Sequence, residues 1–568
     1  MISRMSRSYP IRWLPVLTLL LDPALLAAQE DPAAGAGDPF FESVDVHVVN
    51  VEVFVTDRKG NPVTGLTRDD FELSEDGRRV PITNFYAVAG GRPAVAETAG
   101  AGAPPDDVLR SDLRLSPLLE EQLLHLVVYV DNFNIRPFDR NQVFARLHEF
   151  LRRLSSGDRV MLVSYDRSLH VRHRFTSDRS SIAAALFDLE EAAGHRLEAD
   201  RERQRILSAI DDADAPAAIS GRVRQHASSI ANDLRFTLDA LRDIVGSLAG
   251  LPGRKALLYV SDGLPMRPAQ DLFHAVQRKF GDMSVMAEIS QWDMSRKFDE
   301  LAAQANGSGV TFYTIDASGL QLFSSSTAEN ARPSSIDGGD VLVDQLRLQN
   351  LQSSIRFLAE RTGGTAIFNT NDFGPGLARV ATDFDTYYSL GYVPAHAGDG
   401  RYHRIEVKTV GKGLTVRHRD GYRDKPPSAR MKERTASSLR YGYGSNPLGI
   451  GLVVDTPSPH DEDDYVVPVL FKIPLGRIAL VPRGEVYEGR VQVYFQAMDD
   501  EGKMSDVRED TIPIEIPAAD LEAARSQHYA YRTQLLMRRG HHRFGAGVRD
   551  EYGAVTSFVS IGVEAGSG

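Results

Sequence analysis

The sequence has no cysteine. That excludes a thiol nucleophile, any disulfide and a cysteine-ligated zinc or iron–sulfur centre. It also has no excess of positive charge: the formal net charge is −12, with 65 Lys and Arg against 77 Asp and Glu. Binding to nucleic acid or to an anionic membrane needs clustered cations, so neither is expected. No GxSxG elbow, HExxH pair, P-loop or GxGxxG after a strand is present. Without a nucleophile, base or metal motif, an enzyme is not the expected reading. Beyond the N-terminus, no apolar run approaches the roughly 20 residues of a membrane-spanning helix.

What is present begins with Arg4, Arg7 and Arg12, then an apolar core from Trp13 to Leu21, then Ala27 and Ala28 before Gln29. This is the layout of a secretory signal peptide covering 1–28, cleaved after Ala28, and it predicts a secreted or periplasmic product. The alternative is an uncleaved anchor. Residues 29–39 are linker-like. From 40 to 90, apolar and polar residues alternate between turns such as Asp57–Pro62 and Glu75–Gly77, which predicts a small N-terminal β domain. Residues 89–115 are rich in Ala, Gly, Pro and Asp and read as a linker.

From 120 to 390 the pattern changes. Apolar runs at 124–130, 159–165, 255–261 and 309–316 alternate with amphipathic segments, and a short turn at 166–168 leads into one hairpin strand, 169–175. Strands alternating with helices predict an α/β domain on a mainly parallel sheet. The run from Leu124 to Asp131 is the central element: a strand apolar on both faces that ends in a carboxylate, where open α/β sheets place their ligands. Residues 190–225 form a charged insertion, with Glu190, Glu191, Glu198, Asp200 and Glu202 against Arg196, Arg201, Arg203 and Arg205. It reads as a solvent-facing helix held by local ion pairs. A short β extension over 387–425 and a larger strand-rich domain over 440–568, β-sandwich-like, complete the chain. His541 and His542 read as an exposed loop pair rather than a metal site.

Four stretches, HLVVYVDNFN (125–134), GDRVMLVSYDRSLHVRHRFTSDRSSIAAAL (157–186), GRKALLYVSDGL (253–264) and GVTFYTIDASGL (309–320), resemble a von Willebrand factor type A (VWA) domain. The flanks at 48–77 and 387–409 resemble those that bracket this domain in secreted bacterial VWFA-related proteins. The resemblance implies a Rossmann-like α/β fold with a mostly parallel six-stranded sheet, here between a small N-terminal and a larger C-terminal β-sandwich-like domain. It also implies a metal-ion-dependent adhesion site, patterned Asp-x-Ser-x-Ser, a later Thr and a later Asp, which binds Mg²⁺ and through it a carboxylate of a protein partner. Mapped onto this chain, Asp131 takes the first position, Thr176 the Thr and Asp262 the last Asp. Phe133 and Ile135 stand where serines belong, and neither offers an oxygen. Asn132 or Asn134 could supply an amide oxygen instead, since such carbonyls bind Mg²⁺ and Ca²⁺.

The other reading of the same residues is structural, with Asp131 and Asp262 holding hydrogen bonds at the sheet's edge. Asp316-Ala317-Ser318-Gly319 also opens like the metal motif but reads as a strand-end turn. Either way, the sequence favours a non-enzymatic protein-binding module of unnamed partner. An envelope-associated scaffold is the alternative, and a hydrolase on the same frame comes after it.

Overall fold

A computed structural model describes residues 48–98, 123–192, 194–321, 339–396 and 398–566. The expected signal peptide, most of the linker expected over 89–115 and residues 322–338 lie outside the described residues. The chain divides into two compact units, one spanning His47–Pro426 and the other containing Pro427–Gly568.

The first unit opens with β1 (Val49–Thr56), β2 (Phe71–Glu75), β3 (Arg78–Val80), β4 (Asn84–Ala89) and β5 (Arg92–Thr98). The stretch expected as linker thus starts with a strand, β5, which pairs antiparallel with β4. The α/β body follows. Its strands are β6 (Leu124–Asp131), β7 (Arg159–Tyr165), β8 (Leu169–Thr176), β9 (Arg254–Ser261), β10 (Val310–Asp316) and β11 (Ala366–Ile367). Its helices are α1 (Pro137–Arg153), α2 (Arg179–Glu190), α3 (Arg196–Asp212), α4 (Pro216–Leu248), α5 (Gln270–Phe280), α6 (Ser284–Gln291), α7 (Ser295–Ser308), α8 (Gly339–Arg361) and α9 (Gly374–Asp385).

The six strands form one sheet in the order β11-β10-β9-β6-β7-β8. All pairs are parallel except β7 with β8. Every residue of β6 is buried, as a strand covered on both faces must be. Val128, Val130, Leu162 and Leu258 pack against Phe144, Leu147 and Phe150 of α1 on one face. Each such side chain contributes about 1.5–3 kcal/mol by leaving water. The chain runs outward from β6 in one direction to β7 and in the other to β9, so the strand order reverses between β6 and β9. That switch point opens a crevice at the carboxyl ends of the strands.

After α9 the chain returns as β12 (Tyr387–Tyr392), β13 (Tyr402–Thr409), β14 (Thr415–His418) and β15 (Gly421–Arg423). In the sequence this segment and the N-terminal strands stand as separate pieces. The structure interleaves them: β12 lies between β1 and β4, and β13 lies between β2 and β15. Two sheets, β14-β1-β12-β4-β5 and β15-β13-β2-β3, share one core built on Val51, Val53, Phe71, Phe85, Tyr388 and Leu390. The α/β body is therefore inserted into a β domain made by both flanks. Arg254, at the start of β9, joins the two. It is buried, donates to Phe384 O at 2.7 Å, lies 3.2 Å from Glu52 on β1 and stacks 3.8 Å over the Tyr387 ring.

The second unit has a helix, Pro427–Tyr441, and two antiparallel sheets around a shared core that includes Val467, Phe471, Val493 and Phe544. His541 and His542 lie within its strand Gly540–Asp550, and His542 is buried. No helix among the described residues is long and apolar enough to cross a membrane.

Candidate functional site

The carboxyl edge of the parallel sheet carries three buried carboxyls side by side: Asp131 ends β6, Asp262 follows β9 and Asp316 ends β10. Burial is the main influence on each. It raises the pKa of Asp131 to about 6, even though hydrogen bonds from Tyr259 and Asn134 work to lower it. Asp262 is pushed well above the ordinary carboxylate range by burial, against the pull of Arg196, and Asp316 is raised for the same reason. Asp316 holds Ser318 through its backbone N–H and hydroxyl at 3.1 and 2.6 Å, which is the strand-end turn expected from the sequence.

Asp131 has no oxygen to spare. The Asn134 side-chain amide donates to Oδ1 at 3.1 Å and to Oδ2 at 3.0 Å, and the Asn134 backbone N–H donates to Oδ1 at 3.1 Å. The Tyr259 hydroxyl donates to Oδ2. Asn134 also reaches the Thr237 hydroxyl at 3.3 Å. Asp262 accepts the Arg136 N–H at 3.1 Å on Oδ2, while its Oδ1 is buried with no hydrogen-bond partner among the described residues. Phe133 packs edge-on to Tyr165, tilted against His195 and under the Arg167 guanidinium, and Ile135 is core.

Asp131, Asn134 and Asp262 are therefore brought together, and Thr176 is not. Thr176 pairs with Val160 at the amino end of β7, whereas Asp131 pairs with Tyr165 at its carboxyl end. Five residues of strand separate those positions, about 17 Å. Because β8 runs antiparallel to its neighbour, its last residue lies at the wrong end of the sheet for the edge site. Thr176 instead accepts the Asp178 N–H at the start of α2. The hydroxyls that reach Asp131 and Asn134 belong to Tyr259 and Thr237. This donor set does not fit the Mg²⁺ centre that the resemblance implied. Asn134 turns its donor, not its oxygen, toward Asp131, and two of the three expected hydroxyl positions are aromatic or aliphatic.

A roof that the sequence pattern does not reveal covers this edge. The charged insertion is not a solvent-facing helix. Ile206, Leu207 and Ile210 of α3 and Ile219 and Val223 of α4 pack against Leu272, Phe273 and Val276 of α5. That packing turns the polar face of α3 onto the sheet edge. Arg136 grips Asp200 through Nε and Nη2 at 3.0 and 2.8 Å, and Arg347 of α8 grips the other oxygen of Asp200. Arg196 lies 3.6 Å from the same carboxylate. Arg203 bonds Asp271 at 2.6 Å and Asp344 at 2.8 Å. Four guanidinium groups thus share three carboxylates. Burial works to raise the pKa of Asp200, yet Arg196, Arg347 and Arg136 together hold it well below the usual range. Arg347 is pushed down to about 10 by burial and then by Arg196 and Arg203. Beneath this network lies a cavity of about 120 Å³, lined among others by Asn134, Arg196, Arg203, His226, Leu264 and Arg347.

No family model matches this sequence, and no curated protein does. Among solved structures, similarity extends to an aerotolerance-related membrane protein from Bacteroides fragilis, at 10% identity over 46% of this chain and 98% of that one, with a TM-score of 0.23. BatB of Bacteroides thetaiotaomicron matches at 10% identity over 46% and 96%, with a TM-score of 0.22. A von Willebrand factor type A protein from Catenulispora acidiphila matches at 10% identity over 78% and 66%, with a TM-score of 0.20. The sheet order β11-β10-β9-β6-β7-β8, with only β8 antiparallel to its neighbour, is the mostly parallel six-stranded arrangement that the sequence resemblance implied. On that topology, residues 124–385 have a von Willebrand factor type A-like fold.

Proposed function

We propose that the chain is a non-enzymatic binding protein whose VWA-like body takes an acidic group of a protein partner at the carboxyl edge of its sheet, without a metal ion. The observation that supports this reading is the ion-pair network in which four guanidinium groups share three carboxylates, next to a cavity lined by Arg196, Arg203 and Arg347 together with Asp200, Asp233 and Asp271. In a metal-dependent site, a divalent ion supplies the positive charge that a partner's carboxylate meets. Here four arginines share three carboxylates. An incoming carboxylate would meet them through bidentate hydrogen bonds, which guanidinium geometry favours. The N-terminal basic and apolar stretch supports delivery across a membrane, where such a module would meet its partner.

The test is fluorescence polarisation with a panel of short peptides carrying a central Asp or Glu, with and without EDTA. Binding is expected to survive EDTA and to fall at least tenfold in Arg347→Ala. Binding abolished by EDTA, or none across the panel, would overturn the proposal. Calorimetry with Mg²⁺, Mn²⁺ and Ca²⁺ on the metal-stripped protein, alongside Asp131→Ala, addresses the ion directly, and no saturable heat that depends on Asp131 is expected.

A further inference from the structure

A second polar cluster lies in the β domain. Glu75 ends β2, Asp76 follows it, His403 sits on β13, and His396 and Asp399 belong to the loop between β12 and β13. The two imidazole rings stack with centroids 3.8 Å apart and planes 15° from parallel. Both nitrogens of the buried His403 meet carboxylates: Nδ1 lies 2.8 Å from Asp76 Oδ2, and Nε2 lies 3.2 Å from Asp399 Oδ1. A neutral imidazole has one N–H and serves only one of them, which turns the lone pair of its other nitrogen against an anion. An imidazolium donates to both. His396 differs, because its Nδ1 meets Asp424 Oδ2 at 2.8 Å while its Nε2, 3.4 Å from Glu75 Oε2, makes no hydrogen bond among the described residues. One N–H is enough for that ring.

The two carboxylates that His403 joins belong to separate parts of the chain. Asp76 is fixed at the turn between β2 and β3, where its Oδ1 accepts the Arg404 N–H at 2.8 Å. Asp399 lies in a loop wrapped around Asp424. Its Oδ1 accepts the Arg401 N–H at 2.8 Å, and its own N–H donates to Asp424 Oδ2 at 3.3 Å, beside the Gly398 N–H at 2.6 Å. The Gly400 N–H donates to Asp424 O at 2.7 Å. Glu75 faces the pair from β2 and accepts the Tyr392 and Tyr422 hydroxyls at 2.6 and 2.8 Å on its Oε1. The one guanidinium facing Asp399, that of Arg401, stands 3.9 Å from its Oδ2. Glu75, Asp76, Asp399 and Asp424 thus surround two imidazoles, a surplus of negative charge that favours a charged ring. Burial works against a charge on His403, yet Asp76 and Asp399 hold its pKa above the ordinary histidine value. The Arg404 and Arg401 N–H groups, helped by His403, hold Asp76 and Asp399 below the usual carboxylate range.

We propose that His403 is a pH-sensitive clamp, whose imidazolium ties the β12–β13 loop, through Asp399, to the β2–β3 turn, through Asp76, and whose neutral form lets the loop go. The longer of its two contacts, at 3.2 Å to Asp399, is the one that gives way when a single N–H remains. The direction follows from the raised histidine: the clamp is complete below pH 6.5 and is lost as pH rises through the higher folded value. Toward acid it holds until Asp76 and Asp399 take up protons. The clamp lies beside the junction with the α/β body, because Tyr402, next to His403, accepts the Asn306 side-chain amide of α7 at 3.0 Å. A proton on one ring thereby sets how firmly the two flanks that frame the body are joined at this corner.

The experiment uses the full-length protein. With histidine rings labelled, the magnetic resonance signal of His403, assigned by its absence in His403→Gln, is expected to titrate with a midpoint above 6.5. Hydrogen exchange, read by mass spectrometry on peptides covering 398–401 and divided by the intrinsic rate at each pH, then reports on the loop. Protection there is expected to fall at least tenfold between pH 6 and pH 9, while β6 stays protected. His403→Gln should show the weakly protected loop at both pH values, and His541→Ala should keep the wild-type dependence. Asp399→Asn keeps the shape and the acceptor oxygen, so it reports even if His403→Gln misfolds. It should move both the His403 midpoint and the loss of protection to lower pH. A His403 midpoint at or below 6.5, or loop protection that stays flat between pH 6 and pH 9, would overturn the proposal.

Discussion

The first unit holds two clusters of carboxylates, and they are built on opposite plans. At the sheet edge, Asp131 accepts from Asn134 and Tyr259 on both oxygens, and arginines cover the row from above. In the β domain, Asp76 and Asp424 each hold one nitrogen of an imidazole, the two rings stack, and the remaining nitrogens face further carboxylates, His396 Nε2 at 3.4 Å from Glu75 and His403 Nε2 at 3.2 Å from Asp399. At the edge, guanidinium groups meet the carboxylates; in the β domain, stacked imidazoles do. Counting acidic residues does not separate the two; the group that meets each carboxylate does. The resemblance drew attention to the first cluster alone.

The sharpest way to test the internal balance of the edge is to remove its hub. Asp200→Ala leaves Arg136, Arg196 and Arg347 facing one another with their shared anion gone. Breaking a buried ionic network by deleting one partner costs about 3–5 kcal/mol. The largest fall in urea midpoint among the substitutions considered is therefore expected here. A loss below about 1 kcal/mol would mean that the roof is a solvated lid rather than a packed one.

Asp131 provides the next test, through pH. Its pKa is raised from 3.8 to about 6 in the folded chain, so folding favours the protonated form. That contribution is complete below pH 3.8 and is lost as pH rises through 6. The span corresponds to at most about 3 kcal/mol. Asp131→Asn cannot ionise, so its stability relative to wild type should climb between pH 4 and pH 7 and level off above. A flat difference across that range would show that the hydrogen bonds of Asn134 and Tyr259 compensate fully for burial.

Tyr259→Phe removes one donor to Asp131 and should cost about 1.5–3 kcal/mol, the range for a hydrogen bond to a charged group. The loss should be felt chiefly above pH 6, where Asp131 is charged. In acid, a neutral carboxyl loses less from the missing hydroxyl, so the deficit should shrink. An equal deficit at pH 4 and pH 7 would assign the Tyr259 hydroxyl to packing rather than to charge.

The α/β body was legible because continuous apolar runs such as LVVYV have one solution, burial on both faces of a parallel sheet. Asp131 and Asp262 could be found because each ends such a run. The roof was not legible, because Arg196, Asp200 and Arg203 read as a solvated charged face until the apolar residues of α3 and α4 were seen to pack on α5. The β-domain cluster was hidden differently: Glu75 and His403 are more than three hundred residues apart and meet only because β13 pairs with β2. The sequence carried one local hint, the two histidines of the 396–403 segment with Asp399 between them.

Thr176 shows the limit of carrying a motif across by order alone, and it sets the smallest expected effect. It follows the hairpin strand, where the resemblance seeks a threonine, but the antiparallel run of β8 delivers it to the amino end of the sheet. Its hydroxyl serves only a local turn before α2. Thr176→Ala should therefore shift stability by no more than about 0.5 kcal/mol, as surface substitutions of half-buried side chains away from special features do. It should leave acidic-peptide affinity unchanged, whereas Arg347→Ala, at the carboxyl edge, should not. The pair of measurements assigns binding to one end of the sheet. If Thr176→Ala weakened the peptide as much as Arg347→Ala, the partner surface would extend along β8, over the strip of Arg172, His173 and Arg174, and the edge cavity would not be its centre.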